Sequence, residues 1–397
     1  MYQATTVATG PEHFIEALIK SENPAFTATG IAIIVKLTNS CNYGCSYCGV
    51  SGPLVSNQKK EFNGYEHILD VIKIIANSRL KYVDFIMHGG EPLLLGKRFF
   101  KKLIEAETKY APNIMHNSIQ TNGSLIDQGW INLFKENCFL VGVSLDGPED
   151  IQNVQRASLS GDSFELTMNC IRKLIANDVQ FGCMGVATDK TINYDINKLF
   201  DFYVGNGIKT FDFIPQEPVF DRANDRQLTE DVYFNNKYAE FCMKLFDKWF
   251  DHNNPNIHIP IFEDIIRTMV GKPSKICQIG EGVCGHLVFT LYPDGTLQPC
   301  DKFPRAYSDN AHVIANVSEL SSFDEVFGLQ RQKAIINSQI ESFKTCKGCP
   351  WLSECRGGCV FDRYMYSKLG MSSTYSGCAT YKMYEHISSV IRQYKSN

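Results

Sequence analysis

The sequence is short of several things. Across 397 residues, 39 lysines and arginines face 43 aspartates and glutamates, a formal net charge of -4. No run of five or six like charges occurs, so there is no basic tract to track a phosphate backbone, and no nucleic-acid partner is expected. No apolar stretch approaches the roughly 18 residues that a membrane span begins to need, so no membrane partner is expected either. The opening MYQATTVATGPEHF has no charged head, apolar run or small-residue cleavage site of a secretory signal, which makes a cytoplasmic location the expectation. Internal repeats and low-complexity segments are also missing.

What the chain has is cysteine, fifteen in all. In a reducing compartment metal ligation accounts for such a number better than disulfides do. Three lie between positions 41 and 48 and eight between 277 and 378. Cys138, Cys170, Cys183 and Cys242 are scattered among apolar neighbours and are expected to be buried core thiols.

From residue 31 short β-rich runs alternate with amphipathic helical stretches. IAIIVKL (31–37), YVDFIMH (82–88), IMHNSIQ (114–120), FLVGVSL (139–145), VQFGCMGVA (179–187) and KTFDFIP (209–215) read as strands. Five helical patterns fill the gaps, which argues a parallel α/β architecture. Periodicity leaves an open doubly wound sheet and a partial barrel both possible. In 231–250 the side chains Phe234, Tyr238, Phe241, Leu245 and Trp249 fall at helical spacing and predict a packing face rather than a cofactor box. After Pro273 cysteines, glycines and short loops dominate, as in a small unit held by metal. The expected organisation is an N-terminal segment (1–30), an α/β domain (31–220), a bridging helical segment (221–276) and a cysteine-rich domain with a C-terminal helix (277–397).

Unusual loops follow four of the strands directly. They are Cys41 to Cys48, then HGGEP (88–92), QTNG (120–123) and SLDGP (144–148). In parallel α/β folds such loops share one face, where sites are built. The SLDGP loop taken alone reads as a turn.

Cys41-x3-Cys45-x2-Cys48 resembles the cluster motif of the radical S-adenosylmethionine (SAM) enzymes. The resemblance implies a partial (β/α)6 barrel of the TIM type. It also implies a 4Fe-4S cluster held by three thiolates, whose fourth iron is chelated by the amino and carboxylate groups of SAM. One electron then cleaves SAM to methionine and a 5'-deoxyadenosyl radical, which abstracts hydrogen from an unactivated C–H bond. By the same resemblance Tyr47 packs near adenine, Gly89 and Gly90 let backbone approach the methionine moiety, and Glu91 accepts from its ammonium group as a carboxylate exposed to the pocket. Gln120, Thr121 and Asn122 line that pocket, Ser144 bonds the ribose, and Arg156 pairs with the SAM carboxylate, a task suited to a planar guanidinium.

The eight later cysteines make two sets of four by arithmetic, and spacing alone admits two zinc sites as readily as two clusters. The run from Cys284, with Gly295 before Cys300, resembles the SPASM domain that follows radical SAM domains in peptide-modifying enzymes. That resemblance implies two auxiliary 4Fe-4S clusters, three clusters in total. The pattern assigns Cys277, Cys284, Cys300 and Cys359 to one, and Cys346, Cys349, Cys355 and Cys378 to the other. Eight cysteine ligands leave no open iron, so electron transfer is the expected role of both, with a flavodoxin or ferredoxin as the outside donor.

The expected activity is removal of a side-chain hydrogen from a peptide or protein, followed by oxidation of the resulting radical. HGGEPLLLG and the absence of cysteines for a further cluster favour an intramolecular cross-link in a ribosomally made peptide. Asp301, directly after Cys300, resembles the catalytic acid-base position of anaerobic sulfatase maturases and favours oxidation of cysteine or serine to formylglycine. Too little sequence precedes residue 31 for a full peptide-recognition domain, so a leader is expected to bind elsewhere. Dehydrogenation of a small alcohol or sugar, and a zinc-bound interaction module without catalysis, are the remaining alternatives.

Overall fold

The computed structural model describes residues 30–49, 65–159, 161–217, 220–221, 226–227, 237–280, 284–302, 312–363 and 375–396. The expected N-terminal segment lies outside them but for its last residue, and so does Phe234. Six strands run parallel in chain order: β1 (Gly30–Thr38), β3 (Tyr82–Gly89), β4 (Met115–Thr121), β5 (Leu140–Ser144), β7 (Phe181–Ala187) and β8 (Phe211–Pro215). Each falls within two residues of a run read from the sequence.

Helices Tyr65–Ala76, Gly96–Tyr110, Gln128–Glu136, Ser163–Ala176 and Ile196–Gly205 connect them. Three start on aspartate caps. Asp127 accepts from Trp130 N, Asp162 from Glu165 N, and Asp195 from Asn197 N and Lys198 N, which satisfies amides that the first turn leaves without partners. Every crossover steps to the next strand in the same direction, so right-handed connections put all the helices on one face and the sheet curls around the other. A doubly wound sheet would reverse direction partway. Side chains divide accordingly. Along β3, Val83, Phe85 and Met87 are buried beneath helices, while Asp84, Ile86 and His88 face the concave side half-buried.

β1 is an interior strand. On its other side lies β11 (Val288–Leu291), parallel to it, followed by the antiparallel β12 (Thr296–Gln298) and β13 (Ala315–Asn316). β11 and β12 are joined by a tight turn at Asp294-Gly295, where Tyr292 N bonds to Thr296 O at 2.9 Å. The change in sequence texture near residue 276 is therefore not a break in the sheet. At the opposite end the start of β8 is covered by backbone bonds with His258, from Phe211 N to His258 O and from His258 N to Lys209 O. Two short antiparallel pairs complete the strands: β2 (Tyr43–Cys45) with β6 (Arg156–Ser158), and β9 (Phe220–Asp221) with β10 (Arg226–Gln227).

The helix Lys237–His252 carries the expected packing face, with Tyr238, Phe241 and Leu245 buried and Trp249 donating from its indole to Ile257 O at 2.8 Å. The C-terminal helix Ala379–Ser396 lies against it through Phe246–His386 and Phe250–Tyr394 ring contacts, and Tyr384 Oη bonds Thr268 Oγ1 at 2.6 Å. Cys170, Cys183 and Cys242 are buried as expected. Cys138 is not. It occupies the left-handed residue, φ 52°, just beyond the helix Gln128–Glu136, and that turn leaves its side chain exposed. Among the described residues no helix is long and apolar enough to cross a membrane.

Candidate active site

The loop after β1 is held by its neighbours' backbones. Cys45 ends β2 and pairs across the ladder with Arg156 of β6, while Cys48 N bonds to Cys45 O at 3.1 Å and Ser46 N to Gln155 O at 2.9 Å. From below, Gly90 N bonds to Thr38 O at 2.6 Å and Glu91 N to Ser40 O at 2.8 Å. The two glycines are what let these strands meet. Gly89 has φ 122°, and a Cβ on it would stand 2.4 Å from Thr38 O; a Cβ on Gly90 would stand 2.1 Å from Ser40 O. The close approach visible in the fold is thus to the cysteine loop itself.

Glu91 is not exposed to a pocket. It is 1% accessible because it caps the short helix Pro92–Leu95, accepting from Leu93 N at 3.0 Å and from Thr121 Oγ1 at 2.8 Å on one oxygen, and from Asn122 N at 2.9 Å on the other. Burial pushes its carboxyl up to about 7, against the pull of those three donors. Glu91 therefore ties the HGGEP loop to the QTNG loop. Asn122 carries the tie onward, donating to Asn42 Oδ1 at 2.9 Å beside the first cysteine. Gln120 Nε2 donates to Ser144 Oγ at 2.9 Å and lies over Gly142, where a Cβ would meet its Oε1 at 2.2 Å.

Asp146, read in the sequence as part of a turn, is the centre of the third loop. It is fully buried and accepts from Tyr47 Oη at 2.7 Å, Gln155 Nε2 at 2.9 Å, Arg156 Nη2 at 2.9 Å and Val186 N at 2.8 Å. The Arg156 guanidinium also stands 5.4 Å from the Tyr47 ring. Burial disfavours charge on Arg156, but Asp146, Tyr47 and Cys45 together outweigh it and the guanidinium is held firmly protonated. The expected partner of Arg156 was the SAM carboxylate; the partner inside the protein is Asp146. Arg156 Nε is buried without a hydrogen bond. Burial pushes the Cys45 thiol up to about 12, with Arg156 opposing, so a metal ion that takes it as thiolate must displace its proton.

In the C-terminal region Cys346, Cys349, Cys355 and Cys378 line one cavity with Trp351, Tyr375 and Tyr381. Burial raises the Cys355 thiol, and Cys378, Cys346 and Cys349 raise it further. Cys359 also borders this cavity, yet it and Cys277 are close enough to Cys300 to raise the Cys300 thiol after burial has done so. Cys284 is fixed by Gln339, whose Oε1 accepts from Cys284 N at 2.6 Å. Among the described residues no three His, Cys, Asp or Glu side chains converge closely enough to hold a single ion. The donors fit wider thiolate-bound clusters: three cysteines on the loop after β1, and Cys346, Cys349, Cys355 and Cys378 around a cavity that Cys359 also borders.

Asp301 Oδ2 accepts from Lys36 Nζ at 2.7 Å, which ties the residue after Cys300 to β1. Lys36 went unremarked in the sequence. A lone lysine within the apolar run IAIIVKL is a signal that could have found it, because a lysine that is buried needs a partner.

The sequence profile of the Radical SAM superfamily matches residues 35–201. A cysteine-type anaerobic sulfatase-maturating enzyme of Clostridium novyi (strain NT) is 31% identical over 337 residues, 82% of this chain and 87% of that protein. A serine-type anaerobic sulfatase-maturating enzyme of Bacteroides thetaiotaomicron is 28% identical over 396 residues, 93% of this chain and 92% of that protein. The solved structure described as native anSMEcpe with bound AdoMet and Cp18Cys peptide superposes with a TM-score of 0.76 at 27% identity, covering 92% of this chain and 99% of its own. By sequence and by fold, the chain belongs to the radical SAM superfamily, in the family of the anaerobic sulfatase-maturating enzymes.

Proposed function

We propose that the protein oxidises a cysteine or serine of a sulfatase-type protein substrate to formylglycine. This replaces the intramolecular cross-link favoured by the sequence, because the likeness to sulfatase-maturating enzymes runs through most of the chain. The observation that carries the reading is the place of Asp301. Its carboxylate follows Cys300 and is held by Lys36 on the strand that leads into the first cysteine loop, so one acid-base group belongs to both cysteine regions.

Cys41, Cys45 and Cys48 are proposed to hold a 4Fe-4S cluster, with Tyr47, Gly89, Gly90, Glu91, Gln120, Thr121, Asn122, Ser144 and Arg156 forming the SAM pocket. The buried Arg156 Nε is the donor that suits a carboxylate arriving there. Tyr47 is steadied for adenine by Asp146. Glu91 shapes the pocket from behind, through Thr121 and Asn122. Cys277, Cys284, Cys300 and Cys359, and separately Cys346, Cys349, Cys355 and Cys378, are proposed to hold two auxiliary clusters in a SPASM-type unit from 277 onward. When bound, the first cluster with SAM supplies hydrogen-atom abstraction and the auxiliary clusters supply electron acceptors.

The protein's part is the proton. A Cβ that has lost a hydrogen atom gives up an electron and a proton to become a carbon–sulfur or carbon–oxygen double bond, and Asp301 accepts that proton. Serine thus reaches the aldehyde directly, while the sulfur product is hydrolysed by water with release of hydrogen sulfide. A flavodoxin or ferredoxin is proposed as electron donor.

The test is anaerobic. Purified protein should carry about twelve irons if three clusters are present. With SAM and a reductant it should convert a cysteine or serine peptide from a sulfatase active-site sequence to an aldehyde, located by mass-spectrometric fragmentation. Asp301→Asn should still form 5'-deoxyadenosine with little aldehyde. A cross-linked product would overturn the reading, and full aldehyde yield from Asp301→Asn would overturn the role given to Asp301 within it.

A further inference from the structure

Two consecutive side chains after Cys300 form ion pairs at two separate strands of the sheet, β1 and the end of β8. Asp301 pairs with Lys36 of β1 at 2.7 Å, the side chains being 15% and 4% exposed. Lys302 Nζ meets Glu217 Oε1 at 2.9 Å, at 14% and 13% exposure, and Glu217 lies just past Pro215, the end of β8. β1 and β8 are the first and last of the six consecutive parallel strands. Neighbouring residues reach both because the six-strand run curls until β1 and β8 approach the same loop. Lys302 Nζ also stands 5.7 Å from the Phe361 ring, two residues beyond Cys359.

Four charges are thereby drawn largely out of water. Buried ion pairs seldom add net stability over apolar packing of the same volume, whereas losing one partner is costly, so geometry is what such pairs secure. The geometry here is that of one carboxylate. Lys36 fixes Asp301 Oδ2 and with it the direction of Oδ1; Lys302 and Glu217 fix the backbone that carries the carboxylate.

We propose that Lys36 is a positioning residue for Asp301, with the Lys302–Glu217 pair as the second anchor, so that both ends of the barrel aim the proton acceptor. This rests on the reading of Asp301 given above. Lys36 touches neither substrate nor cofactor in this role.

The experiment uses the full, cluster-loaded protein with peptide and SAM, comparing Lys36→Met, Lys36→Arg, Asp301→Asn and the Lys36→Met/Asp301→Asn double variant. Lys36→Met should keep its iron and its 5'-deoxyadenosine production while aldehyde per deoxyadenosine falls about tenfold or more, since misplacement of a reacting group by an ångström costs up to about a hundredfold. The loss should be in kcat rather than in the peptide KM. Lys36→Arg should restore part of it, and the double variant should be no worse than Asp301→Asn. Hydrogen exchange should quicken in peptides containing residues 299–302. A normal aldehyde ratio in Lys36→Met beside a deficient Asp301→Asn would overturn the positioning role and leave the proposed function standing. Loss of iron from Lys36→Met would overturn it in favour of a structural role. Full aldehyde yield from Asp301→Asn would overturn the positioning role together with the assignment of Asp301 as proton acceptor, while formylglycine formation would stand.

Discussion

Arg156 Nη2 donates to Asp146 Oδ1 at 2.9 Å, with neither side chain more than 9% exposed. This pair holds β6 against the SLDGP loop and, through Tyr47, against the cysteine loop. Asp146→Ala leaves a buried guanidinium without its counter-ion, and breaking such a pair costs about 3–5 kcal/mol. The expected result is a lower unfolding midpoint together with weaker SAM binding by calorimetry. An unchanged midpoint would mean that the carboxylate is not needed to balance the cation.

Replacing Cys41, Cys45 and Cys48 together by alanine should abolish SAM cleavage while the C-terminal cysteines keep their iron. The two groups lie on different parts of the sheet, the first on the loop after β1 and the second beyond residue 276. Iron content and 5'-deoxyadenosine are the measurements. Cleavage at the normal rate would refute the assignment of the first cluster.

Glu91→Gln should affect folding as well as cofactor binding. The carboxylate accepts from three donors, and the amide must turn an N–H toward either Asn122 N or the Leu93 and Thr121 donors. A buried donor facing a donor costs about 1–3 kcal/mol. Thermal unfolding of the variant should show that loss. A variant as stable as the parent, with only SAM affinity reduced, would return Glu91 to the exposed role first expected of it.

Glu107 gives stability a pH dependence. Burial pushes its carboxyl up to about 7, with Asn117 donating to Oε2 at 2.7 Å and opposing the rise, while Glu107 Oε1 and Asn117 Oδ1 are both buried without partners. A proton on the carboxyl removes the buried charge that burial disfavours. The folded state binds this proton more tightly than the unfolded chain, whose glutamate titrates near 4.3. The contribution is therefore full below about pH 4 and fades as pH rises through 7. Glu107→Gln should flatten that slope and add on the order of 2 kcal/mol at pH 8, read from denaturant unfolding across pH. An unchanged slope would place the titration elsewhere.

The parallel strands were legible because each is a continuous β-rich run between helices of regular amphipathic period, the two signals that local sequence carries best. Loop chemistry after those strands was legible for the same reason: strand ends fix where loops converge. Partnership was harder to read. Asp146 sits in a Gly-Pro turn and gives no sign that four donors from three segments will meet on it. β2 and β6 are three residues each, too short for any period, yet they pair Cys45 with Arg156. β11 and β12, at four and three residues around Asp294-Gly295, are likewise too short for a period and lie among cysteines and turn residues.

The place of β1 inside the sheet has a consequence for how the protein is made. Ala32 to Val35 are flanked on one side by Asp84–Phe85 and their neighbours and on the other by Val288 to Leu291. A ribosome adding about 5–20 residues per second delivers the second partner on the order of tens of seconds after the first strand has emerged. Through that interval one edge of an apolar strand lacks the partner it has in the folded sheet. Folding of the N-terminal half can begin early, but its first strand waits for the last third of the chain.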